Sequence, residues 1–179
     1  MNLRDPVPRS LSTDCGVSRM ADPSACGAAC QFIKPNYPAM EQAVHGRVRG
    51  QGDELFFGPV QAMHRARMAA PAKGAQWTGI TTGLAADLLS TVKVDAVLTM
   101  VPDAKDRWKP QPALITEVAD LSRARGMRMG YAPLLALLEE AQERGFARLA
   151  VIGIPCQVYA LRKLEAALGF DRLYVIGTP

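Results

Sequence analysis

The segment RLAVIGIPCQVYALRKLE, residues 148–165, constrains the fold most, because it joins a buried strand directly to a helix. Its first part is apolar and branched as far as Ile154, as expected for a buried strand, and it stops at Pro155. Cys156 is therefore predicted in the first turn of a helix, where unpaired N–H groups and the helix dipole favour a thiolate. The segment alone leaves three roles open for Cys156: nucleophile, metal or cluster ligand, or small buried residue.

The composition indicates one globular domain. The 179 residues are 49% hydrophobic and 21% charged, which is enough for a sizeable core. No apolar run has transmembrane length and no secretory signal is seen, so we expect a cytoplasmic protein whose four cysteines bind metal or react rather than form disulfides. The net charge of +4 favours an acidic protein partner over nucleic acid. The composition is also compatible with a homo-oligomer.

The hydrophobic pattern beyond residue 72 predicts an α/β fold. We expect strands over 94–101, 113–116, 149–154 and 172–177, and helices over 80–88, 117–125, 133–144 and from 155 onward. A loop is predicted through Trp108, Pro110 and Pro112. The strand, helix and strand around Cys156 predict parallel pairing, so we expect a mixed, largely parallel sheet with flanking helices.

Residues 1–36 are predicted to form an irregular arm, followed by an α/β domain over 37–179. The arm contains four prolines and three of the four cysteines, with no sustained periodicity. Iron–sulfur clusters are held by cysteine thiolates, usually four. Cys15, Cys26 and Cys30 of the arm would supply three, and Cys156 would complete the set from far along the chain. The alternatives are a structural zinc site with His45 as the fourth ligand, and unligated cysteines.

A second candidate site is the segment KGAQWTGITTGLAADLL, where Gly74 and Gly79 bracket an aromatic residue and a threonine ahead of a helix. Thr81 and Thr82 follow in the predicted first turn. N–H groups and hydroxyls at a helix start suit a phosphate, and the aromatic Trp77 suits a stacked ring such as a flavin. An ordinary helix start with a core tryptophan fits the same residues.

Together, the segments CGVS…ACGAAC, VHGR, GAQWTGITT, VDAVL, DRWKPQP and VIGIPCQVYALR resemble the coenzyme F-420 hydrogenase/dehydrogenase beta-subunit family over residues 14–179. They are similar to the branch that holds ferredoxin-dependent divinyl chlorophyllide 8-vinyl reductase and 7-hydroxymethyl chlorophyll a reductase. The resemblance implies an α/β flavoprotein that carries FAD and [4Fe-4S] clusters and takes electrons from ferredoxin or a deazaflavin.

The resemblance also assigns site residues. Cys15, Cys30 and Cys156 match cluster-ligand positions, and Cys26 is interpreted as a replacement ligand because Ser18 stands where relatives carry the second cysteine of a C-x2-C pair. The flavin-binding turn corresponds to Gln76, Trp77, Thr78, Gly79, Thr81 and Thr82. Relatives continue past the final IGTP with another cysteine, so we expect this chain to lack part of the active site.

The expected function is that of an oxidoreductase in (bacterio)chlorophyll biosynthesis. Ferredoxin would feed the cluster, the FAD would store two electrons, and a vinyl group on a chlorophyllide-type tetrapyrrole would be reduced. The expected location is cytoplasmic, with peripheral association to photosynthetic membranes also compatible. The alternatives are a beta subunit acting on a deazaflavin, a zinc-stabilised binding module without enzymatic activity, and an enzyme with Cys156 as nucleophile. No catalytic acid or base is assigned.

Overall fold

The computed structural model describes residues 29–32, 35–75, 78–126 and 132–178. The α-helices within them are α1 (Tyr37–His45), α2 (Glu54–Phe57), α3 (Ile80–Ser90), α4 (Leu137–Glu143) and α5 (Pro155–Leu168). The strands are β1 (Ala96–Pro102), β2 (Pro110–Ile115), β3 (Arg148–Gly153) and β4 (Arg172–Gly177). Short 3-10 helices span Val118–Ala124 and Leu134–Ala136.

The described strands form one sheet in the order β2-β1-β3-β4. β3 lies parallel to both β1 and β4, whereas β2 is antiparallel to β1. Helices cover the sheet, and the mixed, largely parallel α/β class predicted from the sequence is confirmed. The β3–α5–β4 unit also confirms the parallel pairing predicted across the helix that carries Cys156.

β2 begins earlier than the sequence predicts. Pro110 and Pro112 are expected in a loop, but they lie in β2 opposite Pro102 and Met100 of β1. β2 is an edge strand, where a missing backbone N–H interrupts pairing on one side at most. The loop prediction is therefore wrong at these two prolines.

Two segments predicted as helices are 3-10 helices over all or part of their length. The one predicted over 117–125 is the 3-10 helix Val118–Ala124, in which Leu121 is the buried side chain. The one predicted over 133–144 starts as the 3-10 turn Leu134–Ala136 and becomes α-helical from Leu137. A segment that buries one side chain lacks the continuous apolar stripe that stabilises a longer α-helix.

Alternating side chains divide the core between the two faces of the sheet. One face carries α4 and α5, with a core that includes Leu98, Leu138, Leu149, Val151, Leu161 and Leu168. The other carries α3 and the first 3-10 helix, with Ala85, Leu89, Val97, Val101, Leu121 and Ala150. Ala29, from the end of the predicted arm, is buried in the first cluster. Residues 1–28 lie outside the described residues, so the domain boundary at 36 stays a prediction.

Two helices begin at the same edge of the sheet. β1 and β3 are parallel and end together at what we name the carboxyl edge. α5 starts there, because Ile154 alone separates it from β3. α3 also starts there, because it packs on the sheet and residues 91–95 join its end to the start of β1, so it runs antiparallel to β1. The starts of α3 and α5 therefore share this edge on opposite faces.

Candidate functional site

Cys156 is the second residue of α5, as the sequence predicts. Pro155 occupies the first position, where a helix does not need the N–H that proline lacks. The side-chain oxygen of Gln157 accepts a hydrogen bond from the N–H of Ile154 at 3.0 Å and fixes the entry to the helix. The half-buried Cys156 thiol thus lies at the positive end of the helix dipole, where anions are stabilised.

Cys30 and Cys156 line one cavity although the two are far apart in the sequence. The cavity has a volume of about 220 Å³, and its lining also includes Gln31, Gln157 and apolar residues such as Leu134 and Ala160. Both are free cysteines and both are half-buried. The convergence of the arm with the cysteine helix, implied by the family resemblance, is thus present for these two residues.

The donor set at this cavity suits a thiolate-bound metal centre. Two cysteine residues line one largely apolar, open space, and soft thiolates select iron–sulfur clusters, zinc or copper(I). A cluster takes four such ligands. Cys15 and Cys26 lie outside the described residues, and within the described part of the chain no three His, Cys, Asp or Glu side chains gather as a metal site. Two of the four predicted ligands, Cys30 and Cys156, therefore line one cavity, and their role as ligands stays a prediction.

The position of His45 does not support the alternative of a zinc site with this residue as the fourth ligand. That residue is the last of α1, is exposed, and is not among the described residues that line the cysteine cavity. His64 is also exposed, in the segment between α2 and α3. Neither histidine is a described neighbour of the two thiols.

Gly153 explains how the end of β3 can lie against the first turn of α5. A Cβ atom built at Gly153 would lie 3.2 Å from Oε1 and 3.3 Å from Cβ of Gln157, and 3.5 Å from Cδ2 of Leu134. The glycine therefore leaves room for the side chain that caps the helix entry. Sequence reasoning missed Gln157, although its place directly after the cysteine in the PCQV segment was a usable signal.

The predicted flavin-binding turn starts α3 at the carboxyl edge. Gly79 is buried and left-handed, with φ of 71°, and Thr81 and Thr82 are half-buried in the first turn. The helical hydrogen bonds begin with the N–H of Gly83 to the carbonyl of Gly79 at 2.9 Å, so the N–H groups before Gly83 precede the ladder. Thr78 is exposed, while Gln76 and Trp77 lie outside the described residues.

Met68 packs against this turn. The N–H of Met68 donates to the carbonyl of Thr78 at 3.0 Å. A Cβ at Gly83 would lie 2.5 Å from Sδ of Met68, and one at Gly79 would lie 3.5 Å from its Cγ. Both glycines thus let the methionine lie against the start of α3.

The loop 103–109 follows β1 at the carboxyl edge and is held by its own aspartates. The Oδ1 atom of Asp103 accepts the N–H groups of Lys105 and Asp106 at 2.8 and 3.0 Å, and these bonds lower the pKa of Asp103. Asp106 accepts the N–H of Trp108 at 3.0 Å. Both carboxylates are thereby engaged with the loop backbone.

The same loop presents positive charge and an aromatic ring to solvent. Trp108 is 64% exposed, and the guanidinium of Arg107 lies 4.9 Å from the centroid of its ring. The cations Lys105, Arg107 and Lys109 are all exposed. We name this surface the basic loop.

No helix in the described part of the chain is both long enough and apolar enough to cross a membrane.

The described fold and its two-cysteine cavity define an α/β protein that brings cysteines from distant segments together at the carboxyl edge of a mostly parallel sheet. Residues 63–139 match the family described as coenzyme F420 hydrogenase/dehydrogenase, beta subunit N-term.

Relatives of known sequence and structure extend this match. The chain is 36% identical to an uncharacterised protein of Nostoc sp. over 99% of this chain and 45% of the relative. It is 39% identical to the chloroplastic 7-hydroxymethyl chlorophyll a reductase of Oryza sativa subsp. japonica over 84% of this chain and 33% of the relative. A chain of the F420-reducing [NiFe] hydrogenase complex from Methanosarcina barkeri superposes with a TM-score of 0.54 and 27% identity, over 59% of this chain and 38% of that one.

The match over residues 63–139 and the similarity to 7-hydroxymethyl chlorophyll a reductase confirm the resemblance to the coenzyme F420 hydrogenase/dehydrogenase beta-subunit family seen in the motifs. The relatives named for an activity are a reductase and a hydrogenase, so this is a family of oxidoreductases. The chain spans less than half the length of each of these relatives.

Proposed function

We propose that this chain is part of an iron–sulfur flavoprotein reductase that passes electrons from ferredoxin to a chlorophyllide-type tetrapyrrole, reducing its 8-vinyl group. The observation that carries the proposal is the shared cavity of Cys30 and Cys156. The substrate class is supported by the 39% identity to 7-hydroxymethyl chlorophyll a reductase.

The proposed metal centre is a [4Fe-4S] cluster held by Cys15, Cys26, Cys30 and Cys156. A cluster moves one electron at a time, and FAD stores two electrons and delivers them as a hydride. The chain's own cysteines would ligate the cluster, and other side chains would line the cavity around it. The apolar side chains around the two described thiols, Leu134, Leu135 and Ala160 among them, would keep water from the sulfurs.

The proposed place for FAD is the start of α3. Backbone N–H groups ahead of the helical ladder, with the hydroxyls of Thr81 and Thr82, are suited to phosphate oxygens. The left-handed Gly79 lets the chain turn into the helix there. Gln76 and Trp77 are proposed as further residues of the flavin site, because an indole suits a stacked ring system.

The proposed electron donor, ferredoxin, would dock on the basic loop. The loop shows cations and an exposed aromatic ring, and its aspartates are engaged by backbone N–H groups. Complementary charge steers the encounter of two proteins. The loop follows β1 at the same sheet edge as the start of α5, which supports electron entry from this side.

A second candidate is a beta subunit that acts on coenzyme F420 for a hydrogenase or dehydrogenase. The family description and the structural similarity to a chain of an F420-reducing hydrogenase complex favour it. Its cysteine and flavin residues would be the same. The two candidates differ in the acceptor, a tetrapyrrole or a deazaflavin.

Anaerobic purification of the chain tests the cofactor proposal. We expect iron, acid-labile sulfide and flavin, with a broad visible absorbance that Cys156→Ala and Cys30→Ala each abolish. Gln31→Ala changes a side chain of the same cavity without removing a sulfur, and it should keep the absorbance. Bound zinc without iron or flavin would contradict the redox assignment and favour the zinc-stabilised module.

The acceptor is tested separately. With reduced ferredoxin, divinyl chlorophyllide should show the spectral shift of a reduced vinyl group, whereas coenzyme F420 should be unchanged. A change in the F420 spectrum with none in the chlorophyllide would select the second candidate.

A further inference from the structure

A tyrosine links the arm to the cysteine helix without using a sulfur atom. The backbone N–H of Asn36 donates to the hydroxyl oxygen of Tyr159 at 3.0 Å. Tyr159 lies three residues after Cys156 in α5, close to one helical turn, and is 3% exposed. A buried tyrosine needs a partner for its hydroxyl, and here that partner is the backbone just before α1.

The ring of Tyr159 also has a partner, the ring of Tyr37. Tyr37 meets it edge to face, with ring centroids 5.4 Å apart and an interplanar angle of 75°. The guanidinium of Arg49 lies 5.8 Å from the centroid of Tyr37 and donates to the carbonyl of Leu55 at 3.1 Å. The side chain of Arg49 is also paired with the buried Glu41, and this pairing lowers the pKa of that carboxyl.

These contacts limit where Cys30 can lie. Asn36 is fixed on Tyr159, and six residue steps of extended chain reach at most about 20 Å. On the other side Ala29, which directly precedes the cysteine, is buried in the core beside Leu134 and Ala160. Cys30 therefore lies between two fixed points of the chain. One is Ala29, which is buried in the core, and the other is Asn36, which is hydrogen-bonded to Tyr159 in the helix of Cys156.

We propose that Tyr159 is a positioning residue that fastens the arm to α5 and so sets the approach of the Cys30 thiol to the Cys156 thiol. This rests on the proposed function, in which both sulfurs bind one metal centre. Tyr159 does not contact that centre in the proposal. It acts through Asn36 and the short tether to Cys30.

The test measures the approach of the two sulfurs directly, in reduced, metal-free chain. In a Cys15→Ser and Cys26→Ser background the two described cysteines alone remain, and dibromobimane becomes fluorescent when it bridges two nearby thiols. Tyr159→Phe removes the hydroxyl and keeps the ring. Tyr174→Phe is the matched control, because Tyr174 is half-buried against the opposite face of the sheet.

We expect rapid bridging of Cys30 to Cys156 in the background chain and in Tyr174→Phe. In Tyr159→Phe bridging should slow about fivefold, the factor expected for loss of one net hydrogen bond, while single alkylation by monobromobimane should be unchanged. A general loss of structure would alter both rates and the circular dichroism. If Tyr159→Phe does not fold, Tyr37→Leu at a 43% exposed position should slow bridging through loss of the ring contact.

The outcomes separate this inference from the proposed function. Fast bridging that Tyr159→Phe leaves unchanged would overturn the role of Tyr159 and leave the cysteine pair intact. Absence of bridging in the background chain would overturn both, because the two sulfurs would not share a cavity. Fast bridging, slowed in Tyr159→Phe, supports the positioning role even if the purified chain were to hold no iron, which would count against the proposed function alone.

Discussion

Asp95 and Arg148 are paired where the two central parallel strands begin. The Oδ2 atom of Asp95 accepts the N–H groups of Arg148 and Ala147 at 2.8 and 3.0 Å, while Oδ1 faces the guanidinium. The N–H of Asp95 donates in return to the carbonyl of Arg148 at 2.8 Å. The pair thus fixes the register of β1 against β3, and with it the edge from which α5 departs.

We predict that Asp95→Asn lowers the free energy of unfolding by about 1–2 kcal/mol at neutral pH, the cost of weakening hydrogen bonds to a charged group. The Arg148 side chain lowers the pKa of Asp95 in the folded state. The stability it contributes is therefore present above the unfolded-state pKa and is lost as the pH falls through the folded-state pKa. Urea unfolding at pH 7 and in acid should show the difference from wild type shrinking in acid.

Asp87→Asn is the control for this prediction, because Asp87 is exposed in α3. It should unfold like the wild-type chain at both pH values. An Asp95→Asn deficit of equal size at neutral and acid pH would show that the charge of Asp95 is not what stabilises the strand pair.

Gly153→Ala should loosen the entry to α5. The new Cβ would lie 3.2 Å from Oε1 of Gln157, so the side chain that accepts the Ile154 N–H must shift. We expect a loss of about 1–2 kcal/mol in the free energy of unfolding and an altered rate of Cys156 alkylation.

Gly177→Ala offers a matched comparison, since Gly177 pairs with Gly153 in the sheet and also ends its strand. A Cβ there would lie 3.8 Å from Val158, an ordinary contact. The Gly177→Ala chain should unfold within about 0.5 kcal/mol of wild type. Equal effects of the two substitutions would rule out the Gln157 contact as the cause.

The packing of Met68 on α3 predicts an interaction between two substitutions. Alanine favours a helix over glycine by up to about 1 kcal/mol, but a Cβ at Gly83 would lie 2.5 Å from Sδ of Met68. The change that Gly83→Ala makes to the free energy of unfolding should therefore be about 1 kcal/mol more favourable in the Met68→Ala chain than in the wild-type chain. Thermal unfolding of the four chains measures this difference, and additive effects would contradict the contact.

The sequence predicts the local part of the site because the relevant signals lie close together. An apolar branched strand, a proline at the first helical position and leucines at helical spacing place Cys156 at the start of α5. The same reasoning places Thr81 and Thr82 in the first turn of α3. Pattern reasoning fails at Pro110, because only the sheet order reveals that this proline lies in an edge strand.

The long-range part of the site could not be derived from periodicity. Nothing in the spacing of Cys30 and Cys156 shows that they line one cavity, and the expectation came from the four-thiolate hypothesis and the family resemblance. The Asn36–Tyr159 hydrogen bond joins residues 123 positions apart, and neither residue carries a motif for it. The roles of Cys15, Cys26, Gln76 and Trp77 remain predictions, because these residues lie outside the described part of the chain.

The basic loop predicts how the electron donor would bind. Lys105→Glu with Lys109→Glu reverses two exposed charges on a loop whose aspartates already bind its own backbone. Affinity for an acidic ferredoxin at low ionic strength should fall about tenfold or more, because opposite charges that assist docking become like charges. Isothermal titration at two salt concentrations measures this, and added salt should reduce the difference between the variant and wild type.

Lys93→Glu with Arg172→Glu is the matched control, with the same change in net charge at two exposed residues near the starts of β1 and β4. Parallel strands place those starts at the edge opposite the basic loop. If docking depends on the carboxyl edge, the control should keep most of the wild-type affinity. Equal weakening in both variants would mean that ferredoxin responds to net charge alone, and the basic loop would then have no special part in electron entry.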